Sequence, residues 1–294
     1  MKLFGFLLLT GVLASAQANF AGNWAPLFHE DNPERLPGPE LGDYSGFPLT
    51  DAARLFADSY NPDRISVVME YQCRPHGGDY SMRGLAVMRV DEILDPANQK
   101  VTALHLRMNF DEQERTIWLD GRPHPSANVA HTWSGFSTGT WDDQMLNVYT
   151  THEKTNYLRR NGLPRSDKAT FTDHWVRHGN YLTITTAITD PVYLTEPLVR
   201  SQTWVLDNQL RIGRDICTSV PELPRPGVPH YLPGTNPFTH EFADLYGLPF
   251  EGTRGGAETI YPEFRFQMTK PAKVPEKCTR YCNCGQDGRG CNLR

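Results

Sequence analysis

The chain has 294 residues and a net charge of −5, with 21% charged and 11% aromatic residues. That length suits one large domain or two small ones and is ample for a real core. The aromatic content excludes a disordered polymer, and no basic stripe is present to hold a nucleic acid.

Residues 1–18 carry the marks of a cleavable secretory signal. Lys2 gives a positive start, Leu3 to Leu13 an apolar run, and Ala14-Ser15-Ala16 or Ala16-Gln17-Ala18 a small-residue cleavage site. The run is shorter than the ~20 residues a membrane span requires. No later segment is apolar enough to span a bilayer, so the expectation is an exported protein, periplasmic or secreted, with no integral membrane segment after cleavage. Residues 19–270 are then one β-rich domain, and 271–294 a Cys-rich tail.

Thr50 is placed to cap a short helix through Tyr60, with Ala53, Phe56 and Ala57 on one side and Asn61-Pro62 as its stop. From Ile65 to Cys217 the apolar period changes to two: Leu104, Leu106, Met108 and Phe110 alternate with His105, Arg107 and Asn109. Such runs recur with turn residues between them, the pattern of an antiparallel sandwich or barrel. In 169–190 a Gly179-Asn180 turn pairs Trp175 with Ile184, Phe171 with Ile188 and His174 with Thr185. In 131–152 a turn at Asp142-Asp143 pairs Gly139 with Leu146, Ser137 with Val148 and Trp133 with His152, with His131 diagonal to them. Past Cys217 the prolines at 221, 224, 226, 229, 233 and 237 exclude a ladder and predict an extended strap. A short helix over Phe238 to Tyr246, a turn at Arg254-Gly255-Gly256 and a strand over Glu263 to Met268 follow.

Six cysteines in an exported chain suggest disulfides. The simplest pairing joins Cys73 to Cys217 and leaves Cys278, Cys282, Cys284 and Cys291 for two short bridges. A Cys₄ zinc site is the alternative for the tail.

Several residues are candidates for chemistry. The small Gly135/Ser137/Gly139 face demands either a closely packed neighbour or a cavity. His131, Trp133 and His152 would stand at its open end, a polar end for a ligand pocket. His174, joining His131 and His152 from a neighbouring strand, would give the three-histidine set of catalytic zinc. Asp173 and Glu196 are carboxylates able to serve as general base or to orient a histidine. Arg122 and His124 in the Asp120 to Pro125 turn, and Tyr193 in the 190–197 bend, lie in loops where binding groups collect. The sequence contains no G-x-S-x-G elbow, P-loop, dinucleotide fingerprint or H-E-x-x-H.

The stretches 115–125 (RTIWLDGRPHP), 131–139 (HTWSGFSTG) and 190–197 (DPVYLTEP), with 159–164 and 254–259, resemble a family of uncharacterised exported bacterial proteins over residues 20–264. The resemblance brings no activity with it. Gly22-x-Trp24 near the start of a β-rich exported chain is similar to the lipocalin opening. The expected fold is therefore a mainly β, lipocalin-like antiparallel barrel or bent sandwich, with a few short helices and the Pro-rich strap. The expected function is binding of a small, largely apolar ligand in the barrel cavity, with the histidines at one end. The alternatives are an enzyme (hydrolase, hydratase or isomerase) on the same scaffold and a structural envelope protein. The sequence names no cofactor.

Overall fold

The structure, a computed structural model, describes residues 17–27, 40–62, 64, 68–81, 87–109, 113–213, 216–221, 230–261 and 263–264. Residues 1–16 of the expected signal, residues 222–229 of the Pro-rich strap, residues 265–268 of the expected strand and the Cys-rich tail lie outside them. The described strands are β1 (Gly22–Pro26), β2 (Met88–Leu94), β3 (Val101–Met108), β4 (Glu114–Trp118), β5 (Phe136–Asp142), β6 (Met145–Thr151), β7 (Asn156–Tyr157), β8 (Pro164–Arg165), β9 (Thr170–His178), β10 (Tyr181–Thr189) and β11 (Leu198–Leu206). All but the small β7–β8 hairpin close into one barrel of nine strands, arranged around the ring in chain order, with β11 returning to β1.

The expected barrel is present, with one correction to its antiparallel character. Directions can alternate all the way round a closed ring only when the strand number is even. With nine strands one pair must be parallel, and it is β4–β5, registered at Ile117↔Ser137 and Trp118↔Thr138. A parallel neighbour cannot be reached by a tight turn, so residues 119–135 form a long crossover.

Strand alternation fills the interior in layers. A larger apolar cluster contains Trp24, Met88, Val90, Leu104, Leu106, Ile117, Leu146, Val148, Trp175, Leu182, Ile184 and Trp204, all buried. A second cluster joins Phe171 and Ile188 to Tyr44, Phe47, Leu49, Leu158, Leu163 and Ala169, and takes Ala53 and Ala57 from the helix α1 (Asp51–Asp58). That helix starts where expected: Thr50 Oγ1 accepts the Ala53 N–H at 3.2 Å. Two shorter helices are α2 (Gly78–Ser81) and α3 (Glu241–Tyr246), the latter ended by Gly247 in the left-handed conformation. Cys73 and Cys217 form a disulfide across 144 residues of sequence. A loop of that size is worth roughly 4–5 kcal/mol on the chain-entropy account.

The 169–190 hairpin has the expected register. The 131–152 register is corrected. Asp142 pairs with Met145 across an Asp143-Gln144 turn, so Gly139 faces Val148 and Ser137 faces Thr150. Moving the turn by one residue shifts each partner by two, which changes the pairs and keeps the faces. The pairing also ends earlier than expected: β5 begins at Phe136, Gly135 has φ +65°, and Thr132 makes a parallel bridge to Glu153. Trp133 and His152 are therefore not cross-strand neighbours.

Candidate functional site

Between the two apolar clusters lies a polar layer made of inward-facing residues from adjoining strands. Arg115 on β4 donates to Asp173 on β9 (2.8 Å), Ser137 on β5 (3.0 Å) and Thr150 on β6 (2.6 Å), and Thr186 on β10 donates to Asp173 at 2.7 Å. Beside it Arg165 on β8 pairs with Glu153 (2.9 Å) and Asp79 (3.4 Å), all three almost wholly buried. Gly78 N–H donates to Glu153 Oε1 at 2.9 Å. Burial, opposed by Arg165 and Arg115 and helped by Asp79, brings the Glu153 carboxyl up to about 7. Gly77 is required here, because a Cβ on it would collide with the Glu153 carboxylate.

The small Gly135/Ser137/Gly139 face is filled rather than hollow. Arg115 reaches Ser137, and a Cβ on Gly139 would meet Leu119 at 2.6 Å and Leu146 at 3.0 Å. The barrel interior, where the ligand was expected, is taken at these levels by the ionic layer and by Trp24, Trp175 and Trp204.

The histidines do come together, but on the outer wall. His131 and His152 rings are 5.1 Å apart, and His124 joins them through Thr151. Ser126 C=O can only accept, so His152 Nε2–H donates to it (3.0 Å); in the tautomer that carries its one proton there, Nδ1 accepts from Thr151 Oγ1 (2.7 Å). Thr151 Oγ1 then accepts from His124 Nδ1–H, and His124 Nε2 accepts from Thr138 Oγ1, both at 2.8 Å. His131 Nδ1 donates to Glu153 C=O at 3.0 Å. Burial, and then His152, holds His124 below its ordinary value. These bonds tie the 119–135 crossover to β5 and β6.

The remaining sequence candidates are dispersed. His174 faces outward on β9 and bonds Asn147 Oδ1 at 2.6 Å. Among the described residues no three His, Cys, Asp or Glu side chains converge as metal ligands, so the three-histidine set is not assembled. Asp173 is inside the barrel, bound to Arg115 and Thr186, and Glu196 is exposed in the β10–β11 loop. Tyr193 packs on Phe56 of α1 with ring centroids 5.9 Å apart, and burial raises its hydroxyl pKa.

Arg122 leads to the feature that sequence reasoning missed. Its guanidinium lies 3.4 Å from the Trp118 ring centroid, and Trp118 lines an open cleft of about 710 Å³. The cleft runs along the outer face of β3 and β4, where Arg107, Glu114 and Thr116 point out by alternation, and the Thr132 to Phe136 turn walls it. Trp133 belongs to this cleft and not to the histidines; Lys154 Nζ is 4.8 Å from its ring. Gly135 forms the back of the cleft, and a Cβ on it would lie 2.7 Å from Glu153 Cγ. The cleft therefore adjoins the ionic layer, with one glycine between them. The sequence signal for the cleft was the outward set on β4 beside an aromatic, glycine-containing turn, which only the parallel seam brings together.

No protein family, no curated protein and no solved structure matches the chain.

Proposed function

We propose that the protein is exported and binds a small molecule in the cleft on the outer face of β3 and β4. The observation that carries this is the cleft itself: about 710 Å³, lined by Trp118, Trp133 and Phe136 with a few polar groups. That size and mixed lining are typical of small-molecule sites. The ligand moves from the barrel interior, where it was first expected, to the wall, because large side chains fill the interior levels on either side of the ionic layer. The Cys73–Cys217 bridge supports an oxidising compartment, periplasmic or extracellular, in keeping with the signal-like residues 1–18. The net charge of −5 gives no footing for nucleic acid.

Native mass spectrometry of protein purified from its export compartment tests the proposal. Wild type should carry or take up a non-covalent small molecule from an extract of that compartment, and Trp133→Ala should lose it. Binding that survives both Trp133→Ala and Trp118→Ala, or no binding at all, contradicts it.

A further inference from the structure

The chemistry of the cleft narrows what it holds; the inference rests on the cleft being the binding site. Three rings, Trp118, Trp133 and Phe136, share the lining with Arg107, Asn109 and Glu114. Arg107 and Glu114 are directly opposite in the β3–β4 register, so the described polar lining carries one cation and one anion side by side. Asn109 Oδ1 already accepts the Val87 N–H at 3.1 Å, which leaves the amide donors of its side chain for a ligand.

The two indoles are each backed by a cation that does not line the cleft. Arg122 covers Trp118 and Lys154 lies over Trp133. A ring that already serves one cation has less attraction left for a second, which argues against an ammonium ligand. The same contacts hold each ring plane in place, so stacking a ligand there costs little side-chain entropy. An acyl chain or a fully apolar ring would favour an enclosed apolar pocket. This one is open, and seven of its fifteen described lining residues are polar or charged. What remains is a neutral molecule with a flat apolar face and hydrogen-bonding groups around its edge.

We infer that the cleft binds a neutral saccharide. One or two pyranose rings would lay their C–H faces on Trp118 and Trp133, while ring hydroxyls bridge Arg107, Asn109 and Glu114. A hydroxyl both donates and accepts, so the opposed guanidinium and carboxylate satisfy neighbouring hydroxyls together.

Saturation-transfer NMR on the full chain, with maltose, cellobiose and N,N′-diacetylchitobiose against decanoate and benzyltrimethylammonium, tests this. At least one disaccharide should bind, weakened roughly three- to tenfold by Trp133→Ala or Trp118→Ala, the worth of one aromatic contact. Glu114→Gln, an exposed isosteric change that leaves folding intact, should weaken it several-fold and supplies the test if a tryptophan variant misfolds. If decanoate or the ammonium probe binds in a Trp133-dependent way and no disaccharide does, the saccharide inference is overturned and the cleft stands as a site. If no probe depends on Trp118, Trp133 or Glu114, both are overturned.

Discussion

A carboxyl with no exposed surface, set among two guanidinium groups and two other carboxylates, titrates unlike one in water. Glu153 is that group. Among the described residues Arg165 pairs with both Glu153 and Asp79, so the two carboxylates share one guanidinium and a proton on Glu153 relieves their repulsion. Its folded value of about 7 lies above the ordinary 4.5. The folded state therefore keeps this proton longer than the unfolded chain, and the resulting stability is full below pH 4.5 and lost as the pH rises to about 7. His124 has the opposite sign. Its folded value lies below 6.5, so its contribution is present above 6.5 and lost as the pH falls through the lower value. Urea denaturation at pH 5 and pH 8 separates the two. Glu153→Gln should gain on wild type between pH 5 and pH 8, while the deficit of His124→Gln should be smaller at pH 5 than at pH 8. Unfolding midpoints of both variants that run parallel to wild type would contradict these assignments. Little of this was legible beforehand. Alternation assigns charged residues to the outside, and the phase is reset by His152, whose φ of +61° turns Glu153 inward after the outward Thr151.

At the scale of elements, the weakest point of the barrel is the parallel seam. β4 and β5 share two registered pairs, whereas β9 and β10 share nine. The seam is braced from both sides. Inside, Arg115 on β4 ties Ser137 on β5, Thr150 on β6 and Asp173 on β9. Outside, His124 in the crossover holds Thr138 and Thr151. Arg115→Met should therefore cost about 3–5 kcal/mol, chiefly by leaving the buried Asp173 carboxylate unpaired. Arg115→Met with Asp173→Leu should recover much of that loss. A single substitution costing under about 1 kcal/mol in chemical denaturation would show that the tie is dispensable. The 169–190 hairpin was legible because Gly179-Asn180 marks its turn. The 131–152 pairing was not, because Asp142-Asp143-Gln144 has no glycine to mark the turn, and Asp143 itself takes φ +52°.

For the whole molecule, period-two alternation was enough to show a β-barrel or bent sandwich, since each strand carries its own evidence of two unlike faces; closure into a barrel came only from the structure. Strand number is a global property, and with it went the odd count, the parallel seam and the long crossover. The cleft depends on all three, because the Thr132 to Phe136 turn reaches β4 only through that seam. Its aromatic residues were visible in the sequence, but Trp133 was assigned to the histidines for want of the true register.

The six tryptophans offer the most direct measurement. Trp24, Trp175 and Trp204 are buried in the barrel core, and Trp118 and Trp133 line the cleft. In ¹⁵N-resolved NMR of the indole N–H groups, each assigned by single Trp→Phe substitution, the protein can be titrated with a library of small amphipathic molecules. A binding site on the outer wall predicts that molecules which bind move the Trp118 and Trp133 signals and leave those of Trp24, Trp175 and Trp204 in place. Ligands that move the three core indoles while the cleft pair stays still would put the site inside the barrel and contradict the account.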